Sequence, residues 1–373
     1  MGDEGKSSGT DSFTSAMALN QTGLAQVPPR FVLPSSERPG RSLLLNPSTT
    51  TTPTPTPLPV IDISSLHNPS LRPRIIHEIR VACEDLGFFQ VINHGIPSTY
   101  GNDAIDAATE FFNLPSEEKM HFASTDVHKP VRYGTSLNHV EDKVHFWRDF
   151  IKHYCYPIST WIHLWPSNPS SYKEKMGNYA KAVQALQEQL MEAVLQSLGL
   201  KADYLHEDFE KGTQVMVVNC YPACPEPDLA LGMPPHSDYG SLTILIQSQP
   251  GFEIMDKNNN WRPVPVIEGA AALLVQVGDQ MEVISNGRYK SVLHRATLNK
   301  ERTRISIASL HSLALEKKVG PAPELIDDEH PLAYNEGSFE SFLDHISGND
   351  ARKKVRYIDM LKRPQTMKAN CMK

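Results

Sequence analysis

The amino-acid sequence predicts a mainly β protein with helices, built around a jelly-roll sandwich. Three observations support this fold class. After Gly212 the chain has seven short runs of strand-forming residues, separated by turn residues. One long helical pattern precedes them, and a polar, proline-rich segment comes first. With 373 residues, 40% of them hydrophobic, the chain is long enough for one large domain.

Residues 1–57 are predicted to form a largely disordered N-terminal segment. They are polar, contain many prolines and end in a Thr-Pro alternation over residues 49–57. Such a composition buries too little apolar surface to offset the entropy lost on ordering. Residues 27–34 are the exception, because their apolar side chains are expected to pack against the body of the protein.

Residues 58–212 are predicted to form an N-terminal region of helices with edge strands. The strongest pattern in the chain covers residues 172–198, where apolar residues recur every three or four positions and Gly199 follows as a stop. This helix is expected to be a structural spine packed against a sheet. The other predicted elements are a strand over residues 60–63, a helix over 71–86, a strand over 88–92 and a helix that begins at Pro97.

Residues 213–325 are predicted to form the jelly-roll core, and residues 326–373 a C-terminal helical tail. In the tail, a helix is expected over residues 338–361 with an interruption near Gly348. The predicted core strands cover residues 214–220, 241–247, 252–256, 272–277, 280–284, 289–294 and 304–309.

The charge and cysteine content exclude several classes of function. A net charge of -7 argues against a nucleic-acid partner and against attraction to an anionic membrane. No apolar run approaches the ~20 residues that span a bilayer, and five scattered cysteines suit reduced thiols better than disulfides. We expect a cytoplasmic monomer that acts on a small molecule.

The motif His236-Ser237-Asp238 and the later His294 form a candidate metal site. Side chains two residues apart on a strand point to the same side, so His236 and Asp238 can reach one ion. Two imidazoles and one carboxylate bind Fe(II) and leave positions open, as non-haem iron oxygenases require. An isolated H-x-D also arises by chance, and the prediction therefore depends on the residues that follow it.

Arg304 and Ser306 are candidate ligands for a dicarboxylic cosubstrate. Arg304 stands in an apolar alternating run, where burial is costly without an anionic partner, and Ser306 faces the same side. An internal salt bridge to an Asp or Glu is the alternative. Tyr221 and Asn219, near the end of another strand, are candidates for further bonds to the same ligand. Together these residues predict an iron oxygenase that uses 2-oxoglutarate and O2.

The chain resembles the plant 2-oxoglutarate and Fe(II)-dependent dioxygenases, which include flavanone hydroxylases, flavonol synthases and gibberellin oxidases. The resemblance covers nearly all of the chain that is expected to be ordered. The motifs that carry it are residues 58–62 and 87–96 in the N-terminal region, and residues 219–222, 236–238, 277–279, 285–287, 289–295 and 304–306 in the core.

This resemblance implies a distorted double-stranded β-helix core flanked by helices, with His236, Asp238 and His294 as iron ligands. It implies that Arg304 and Ser306 hold the C5 carboxylate of 2-oxoglutarate beside Tyr221, and that ascorbate supports activity. The implied reaction converts 2-oxoglutarate to succinate and CO2 while a substrate is hydroxylated, desaturated or demethylated.

The substrate is predicted to be a small plant specialised metabolite, phenolic or flavonoid-like. Candidate pocket residues are Tyr133, Phe146, Phe150 and Leu310, because ligand sites are mostly apolar. Relatives carry an aromatic residue at the position of Leu310, which predicts a different pocket shape. The alternatives are a hormone-metabolising oxidase with a gibberellin- or indole-type substrate, an oxidase that needs no 2-oxoglutarate, and a non-catalytic metabolite-binding relative.

Overall fold

The computed structural model describes residues 13–40, 57–137, 142–267, 269, 271–347 and 355–364. Its α-helices are α1 (Ala16–Gln21), α2 (Arg72–Asp85), α3 (Ser98–Phe112), α4 (Ser116–Met120), α5 (Ile158–Trp161), α6 (Tyr172–Ser197), α7 (His206–Glu210), α8 (Asp279–Ile284), α9 (Phe339–Ser347) and α10 (Tyr357–Leu361). Its strands are β1 (Val60–Asp62), β2 (Phe88–Ile92), β3 (Val131–Thr135), β4 (Asp149–Tyr154), β5 (Thr213–Tyr221), β6 (Met233–His236), β7 (Leu242–Gln247), β8 (Phe252–Met255), β9 (Trp261–Pro263), β10 (Leu273–Val277), β11 (His294–Ala296) and β12 (Arg304–Ser312).

The strands form a large and a small sheet. The large sheet has the order β1-β2-β10-β7-β12-β5-β4-β3, and the small sheet has the order β6-β11-β8-β9. All pairings are antiparallel except that of β1 with β2. The prediction of a jelly-roll core with flanking helices is confirmed. The N-terminal strands β1 to β4 extend the same sheet as the core strands.

The two faces of the large sheet pack against different partners. Leu242 and Ile244 of β7 belong to the main core, which the large sheet forms with α2, α3 and α6. Leu245, on the opposite face, packs with Phe252 and Ile254 of the small sheet. The predicted spine, α6, runs along the helical side of this arrangement. The alternation of side chains along each strand therefore separates the structural core from the face that lies between the sheets.

Two predicted strands take other conformations. Residues 280–284 belong to the helix α8, and of residues 289–294 only His294 lies in a strand. All six residues of α8 are buried, so their sequence lacks the polar face that distinguishes a helix from a buried strand. The amide of Gln280 also donates to the carbonyl of Tyr239, which fixes the start of α8 beside the H-x-D loop.

The N-terminal segment is more ordered than predicted. Residues 13–40 include α1 and a 3₁₀ turn at Pro29–Phe31, and the ring of Phe31 packs edge-on against Trp147 with centroids 5.0 Å apart. The expectation that residues 27–34 pack on the body is confirmed. The prediction of disorder is therefore corrected for this part of the segment. The Thr-Pro alternation lies, apart from Pro57, outside the described residues, and so does the break expected near Gly348.

A buried carboxylate holds the N-terminal segment in place. Asp149 is fully buried, and its two carboxylate oxygens accept hydrogen bonds from the backbone amides of Ala16 and Met17 at 2.8 and 3.0 Å. We expect Asp149→Ala to lower the free energy of unfolding by about 1–3 kcal/mol, because it leaves buried donors unpaired. Residues 13–40 should also become sensitive to limited proteolysis. Urea denaturation with the control Asp106→Ala, which removes an exposed carboxylate, tests this, and equal stability of the two variants would contradict it.

Two buried neutral histidines predict a loss of stability in acid. Burial lowers the pKa of both His153 and His311 to about 3. Between pH ~6.5 and ~3 the unfolded chain binds protons at these rings and the folded chain does not, so stability is present above pH ~6.5 and falls below it. Each ring contributes a slope of about 1.4 kcal/mol per pH unit. Urea denaturation at pH 7 and at pH 5 tests this. The free energy of unfolding should fall less between pH 7 and pH 5 for His153→Gln than for the exposed control His206→Gln.

No helix in the described part of the chain is both long enough and apolar enough to cross a bilayer.

Candidate active site

The structure brings His236, Asp238 and His294 together. Strands β6 and β11 are neighbours, and His294 pairs directly with His236 across them. Asp238 Oδ1 lies 3.7 Å from His236 Nε2 and 3.6 Å from His294 Nε2. One donor atom from each residue lies within 4.8 Å of the others, and among the described residues no other His, Cys, Asp or Glu group meets this distance.

The two imidazole rings are oriented by backbone carbonyls. His236 Nδ1 lies 2.8 Å from the carbonyl oxygen of Pro234, and His294 Nδ1 lies 3.2 Å from that of Val292. Each Nδ1 therefore carries the proton, and each Nε2 presents a lone pair toward Asp238. Burial, followed by repulsion from His294, lowers the pKa of His236 below its ordinary value. A divalent metal requires the neutral ring with a free Nε2, which the lowered pKa of His236 favours at that position.

Arg304 is a buried cation with an unpaired donor. Its Nη2 donates to Gln247 Oε1 at 2.9 Å, and its Nε donates to the carbonyl of Gln249 at 3.1 Å. Nη1 is buried and has no hydrogen-bond partner. Within the ranges described, no Asp or Glu forms an ion pair with Arg304, so the internal salt bridge considered as an alternative is not formed there. A buried guanidinium with a free donor can form a charge-assisted bond to an anion that enters the cavity.

The other predicted anchor residues lie beside Arg304. In the pairing of β12 with β5, Arg304 is opposite Tyr221 and Ser306 is opposite Asn219. The guanidinium carbon of Arg304 lies 5.0 Å from the centroid of the Tyr221 ring. Asn219 Nδ2 donates to Ser306 Oγ at 3.4 Å. These four side chains form one patch on the inner face of the large sheet.

Gln247 is a site residue that sequence reasoning missed. It pairs with Ser306 in the sheet, accepts from Arg304, and its Nε2 is buried without a partner. A glutamine at the end of the apolar run 242–247 was the available signal, because an amide on an inward-facing position needs a polar neighbour. Two donors, Arg304 Nη1 and Gln247 Nε2, thus remain unpaired at neighbouring positions.

The three metal-site residues and the patch around Arg304 face one cavity of about 1050 Å³ between the sheets. His236, Asp238 and His294 line it together with Arg304 and Ser306. Helices α9 and α10 and part of the N-terminal segment, residues 33–40, contribute further walls. The cavity is large enough for a cosubstrate and a second small molecule side by side.

The four predicted pocket residues take different positions. Phe146 and Leu310 line the cavity. Phe150 is buried beneath the guanidinium groups of two arginines. Tyr133 faces the opposite side of the sheet and packs in the main core, with its ring centroid 6.2 Å from that of Phe111. The prediction for Tyr133 is therefore corrected: one step in the alternation of β3 takes its side chain out of the cavity.

Comparison with known proteins identifies the family. Residues 212–312 match the family model of the 2OG-Fe(II) oxygenase superfamily. Residues 58–168 match the model described as the N-terminal region of non-haem dioxygenases in morphine synthesis. Flavanone 3-dioxygenase 3 of Oryza sativa subsp. japonica is 46% identical over 299 residues, which cover 80% of this chain and 90% of the relative. The chain belongs to the 2OG-Fe(II) oxygenase superfamily.

Solved structures place the fold of this oxygenase in the same family. The structure of JOX2 in complex with 2OG, Fe and JA superposes with a TM-score of 0.80 at 27% identity, and covers 95% of this chain and 98% of the other. A rice dioxygenase for auxin oxidation gives a TM-score of 0.68 at 25% identity, covering 82% and 100%. The chain is accordingly an enzyme, a dioxygenase that depends on 2-oxoglutarate and iron.

The residues of this oxygenase fit both Fe(II) and the carboxylate of 2-oxoglutarate. The donor set of two Nε2 atoms and a carboxylate matches the facial arrangement that binds Fe(II) and leaves three positions free. The unpaired donors of Arg304 and Gln247, beside the hydroxyl of Ser306, match a carboxylate. The fit to the carboxylate depends on two donors, Arg304 Nη1 and Gln247 Nε2, that have no partner among the described residues.

Proposed function

We propose that this oxygenase binds Fe(II) through His236, Asp238 and His294, and the C5 carboxylate of 2-oxoglutarate through Arg304 and Ser306. The observation that carries the proposal is the convergence of three metal-binding side chains and a buried, incompletely paired arginine in one cavity. The ring of Tyr221 packs against the guanidinium of Arg304, and Asn219 orients the Ser306 hydroxyl through a hydrogen bond.

When bound, the iron supplies the activation of O2 that is coupled to conversion of 2-oxoglutarate into succinate and CO2. One oxygen atom enters succinate and the other enters a hydroxylated substrate. The protein orients the reactants and limits the access of water. Arg304 fixes the far end of the cosubstrate by a charge-assisted bond in a site shielded from solvent, where such bonds are strong. The carbonyls of Pro234 and Val292 keep both imidazole Nε2 atoms free of protons.

We propose that the substrate is a small, phenolic or flavonoid-like metabolite that is hydroxylated. The similarity to flavanone 3-dioxygenase 3 supports this class, and so do the apolar residues Phe146, Leu231 and Leu310 on the cavity wall. A hormone-metabolising oxidase is the second candidate, favoured by the similarity to a dioxygenase for auxin oxidation. The four described cysteines are buried and free, which supports a cytoplasmic location, and we propose a monomer.

We also propose a division into an N-terminal region (58–212), a catalytic core (213–325) and a C-terminal tail (326–373). The two family models support it, since they match residues 58–168 and 212–312 separately. Because strands of the first two regions share one sheet, we expect neither to fold alone.

The proposed function is tested by substrate-dependent turnover. Purified protein with Fe(II), ascorbate and 2-oxoglutarate is supplied with phenolics, flavanones, indoles and gibberellin-like acids in turn, and succinate and O2 uptake are measured. A rise in succinate that depends on a phenolic or flavonoid-like compound, with a hydroxylated product, is the expected result. A rise with an indole or gibberellin-like acid alone would favour the second candidate. Failure to bind Fe(II) in an anaerobic titration would favour a non-catalytic binding protein.

A further inference from the structure

Three cationic side chains stand together on one wall of the cavity, away from Arg304. Arg132 and Lys152 are direct partners across β3 and β4, and Arg148 immediately precedes β4. All three line the cavity. We call them the cationic wall. Strand β3 lies three positions from β12 in the sheet, which separates Arg132 from Arg304 by about 14 Å at the backbone.

The two arginines of the cationic wall are held against one aromatic ring. The guanidinium carbons of Arg132 and Arg148 lie 4.8 and 4.4 Å from the centroid of the Phe150 ring. The ring sits over Gly134, where an added Cβ would lie 2.8 Å from Phe150 Cζ. Any larger residue at Gly134 would displace the Phe150 ring. The absence of a side chain at Gly134 therefore lets the ring lie where both guanidinium groups contact it.

Neither arginine forms an ion pair in the described ranges, although carboxylates beyond ion-pair distance attract them, Asp126 for Arg132 and Asp142 and Asp149 for Arg148. Arg148 donates to Asn219 Oδ1 at 2.7 Å and to the carbonyl of Ser136 at 3.0 Å, both uncharged acceptors. Arg132 Nε is buried without a partner. Across the described ranges, no carboxylate lies within ion-pair distance of either guanidinium. A buried cation without a counterion is costly, and two neighbouring ones more so.

Lys152 adds a third positive charge to the two arginines. Its Nζ donates to the uncharged carbonyl of Val127 at 2.6 Å, and the carboxylate of Asp126 attracts it from beyond ion-pair distance. Burial and then the charge of Arg132 lower the pKa of Lys152 to about 7. Burial, followed by the charge of Arg148, lowers the pKa of Arg132 to about 10. The positive charges of these side chains thus disfavour one another.

Two other cations that line the same cavity have acidic partners. Arg295 pairs with Glu253 at 2.7 Å, and Arg356 pairs with Asp359 at 3.0 Å. Arg304 resembles the cationic wall in lacking a carboxylate, and for Arg304 we propose an external carboxylate. Arg38 also lines the cavity, where its Nε donates to the carbonyl of Leu33 at 2.9 Å. The contrast indicates that the cationic wall also receives an anion from outside the chain.

We propose that the substrate of this oxygenase carries a carboxylate that binds the cationic wall at Arg132 and Lys152. Arg148 lies between this anion and the metal site, because its Nη1 contacts Met233 of β6 at 3.2 Å. The carboxylate would then fix one end of an aromatic acid, and its oxidisable part would extend toward His236 and Asp238. This inference rests on the proposed function and narrows the substrate class within it.

The test compares acids with their neutral amides. Holoenzyme with Fe(II) and saturating 2-oxoglutarate is titrated anaerobically with benzoate, benzamide, cinnamate and cinnamamide in a calorimeter. We expect each acid to bind about tenfold or more tightly than its amide, as one buried charge-assisted pair implies. Arg132→Gln and Lys152→Gln should remove most of this preference by weakening acid binding much more than amide binding. Lys201→Gln, which removes an exposed charge elsewhere, should retain it.

Three results would overturn the inference. They are equal binding of acids and amides by the wild type, an equal loss of both in Arg132→Gln, and weaker benzoate binding as 2-oxoglutarate increases, which would place the acid in the cosubstrate site. Arg132→Lys, which keeps the charge, should restore part of the preference, and thermal denaturation checks that each variant is folded. Succinate formed from 2-oxoglutarate alone tests the proposed function separately, because it needs no occupant at the cationic wall.

Discussion

Asp238→Ala is expected to reduce succinate formation to the rate measured without enzyme. Asp238 is the carboxylate that both imidazoles face, at 3.7 and 3.6 Å from His236 and His294. Its loss leaves two neutral nitrogen ligands, and the hard, anionic oxygen donor of the set is gone. His236→Ala should have the same effect, because one nitrogen ligand is then missing.

Iron binding and turnover are measured separately for these variants. Anaerobic Fe(II) titration should show weakened or absent binding in Asp238→Ala, while thermal unfolding without metal should stay close to wild type. The control Asp228→Ala removes an exposed carboxylate and should retain full activity. Wild-type turnover by Asp238→Ala would refute the assignment of this residue as a ligand.

Arg304→Gln is expected to raise the 2-oxoglutarate concentration needed for half-maximal activity by roughly 30-fold or more. Removing one member of a buried charge pair costs about 2–5 kcal/mol, much of it from the carboxylate left without its partner. Glutamine keeps a polar group of moderate size, so the buried acceptor Gln247 Oε1 is not left unpaired in the variant protein. The effect should therefore appear in cosubstrate binding more than in stability.

Steady-state kinetics with 2-oxoglutarate as the varied component tests this prediction. The KM for 2-oxoglutarate should rise while the KM for the oxidised substrate changes little, since the cationic wall lies on other strands. Arg302→Gln, two residues away and exposed, is the matched control. An unchanged KM for 2-oxoglutarate in Arg304→Gln would show that another group anchors the cosubstrate.

Local patterns were sufficient for much of this molecule. The period of apolar residues predicted α6 within a residue at its C-terminal end, because an amphipathic helix on a surface carries its own signal. The same reasoning placed a strand at the buried helix α8, where all residues are enclosed and no polar face marks the period. Composition likewise suggested disorder for residues 13–26, because it contains no information on the contact with the carboxylate of Asp149, more than 130 positions away.

By itself, the sequence indicated the chemistry: an H-x-D, a distant histidine and an R-x-S predict a metal site and an anchor for an anionic cosubstrate, because strand alternation sets which side chains share a face. The resemblance to the family then gave 2-oxoglutarate as that cosubstrate. Only the tertiary structure decided what surrounds them. Gln247 beside Arg304, Tyr133 outside the cavity and the cationic wall of Arg132, Arg148 and Lys152 all depend on which strands become neighbours. Strand order depends on the packing of the whole sheet, so the spacing of residues along the chain does not predict it.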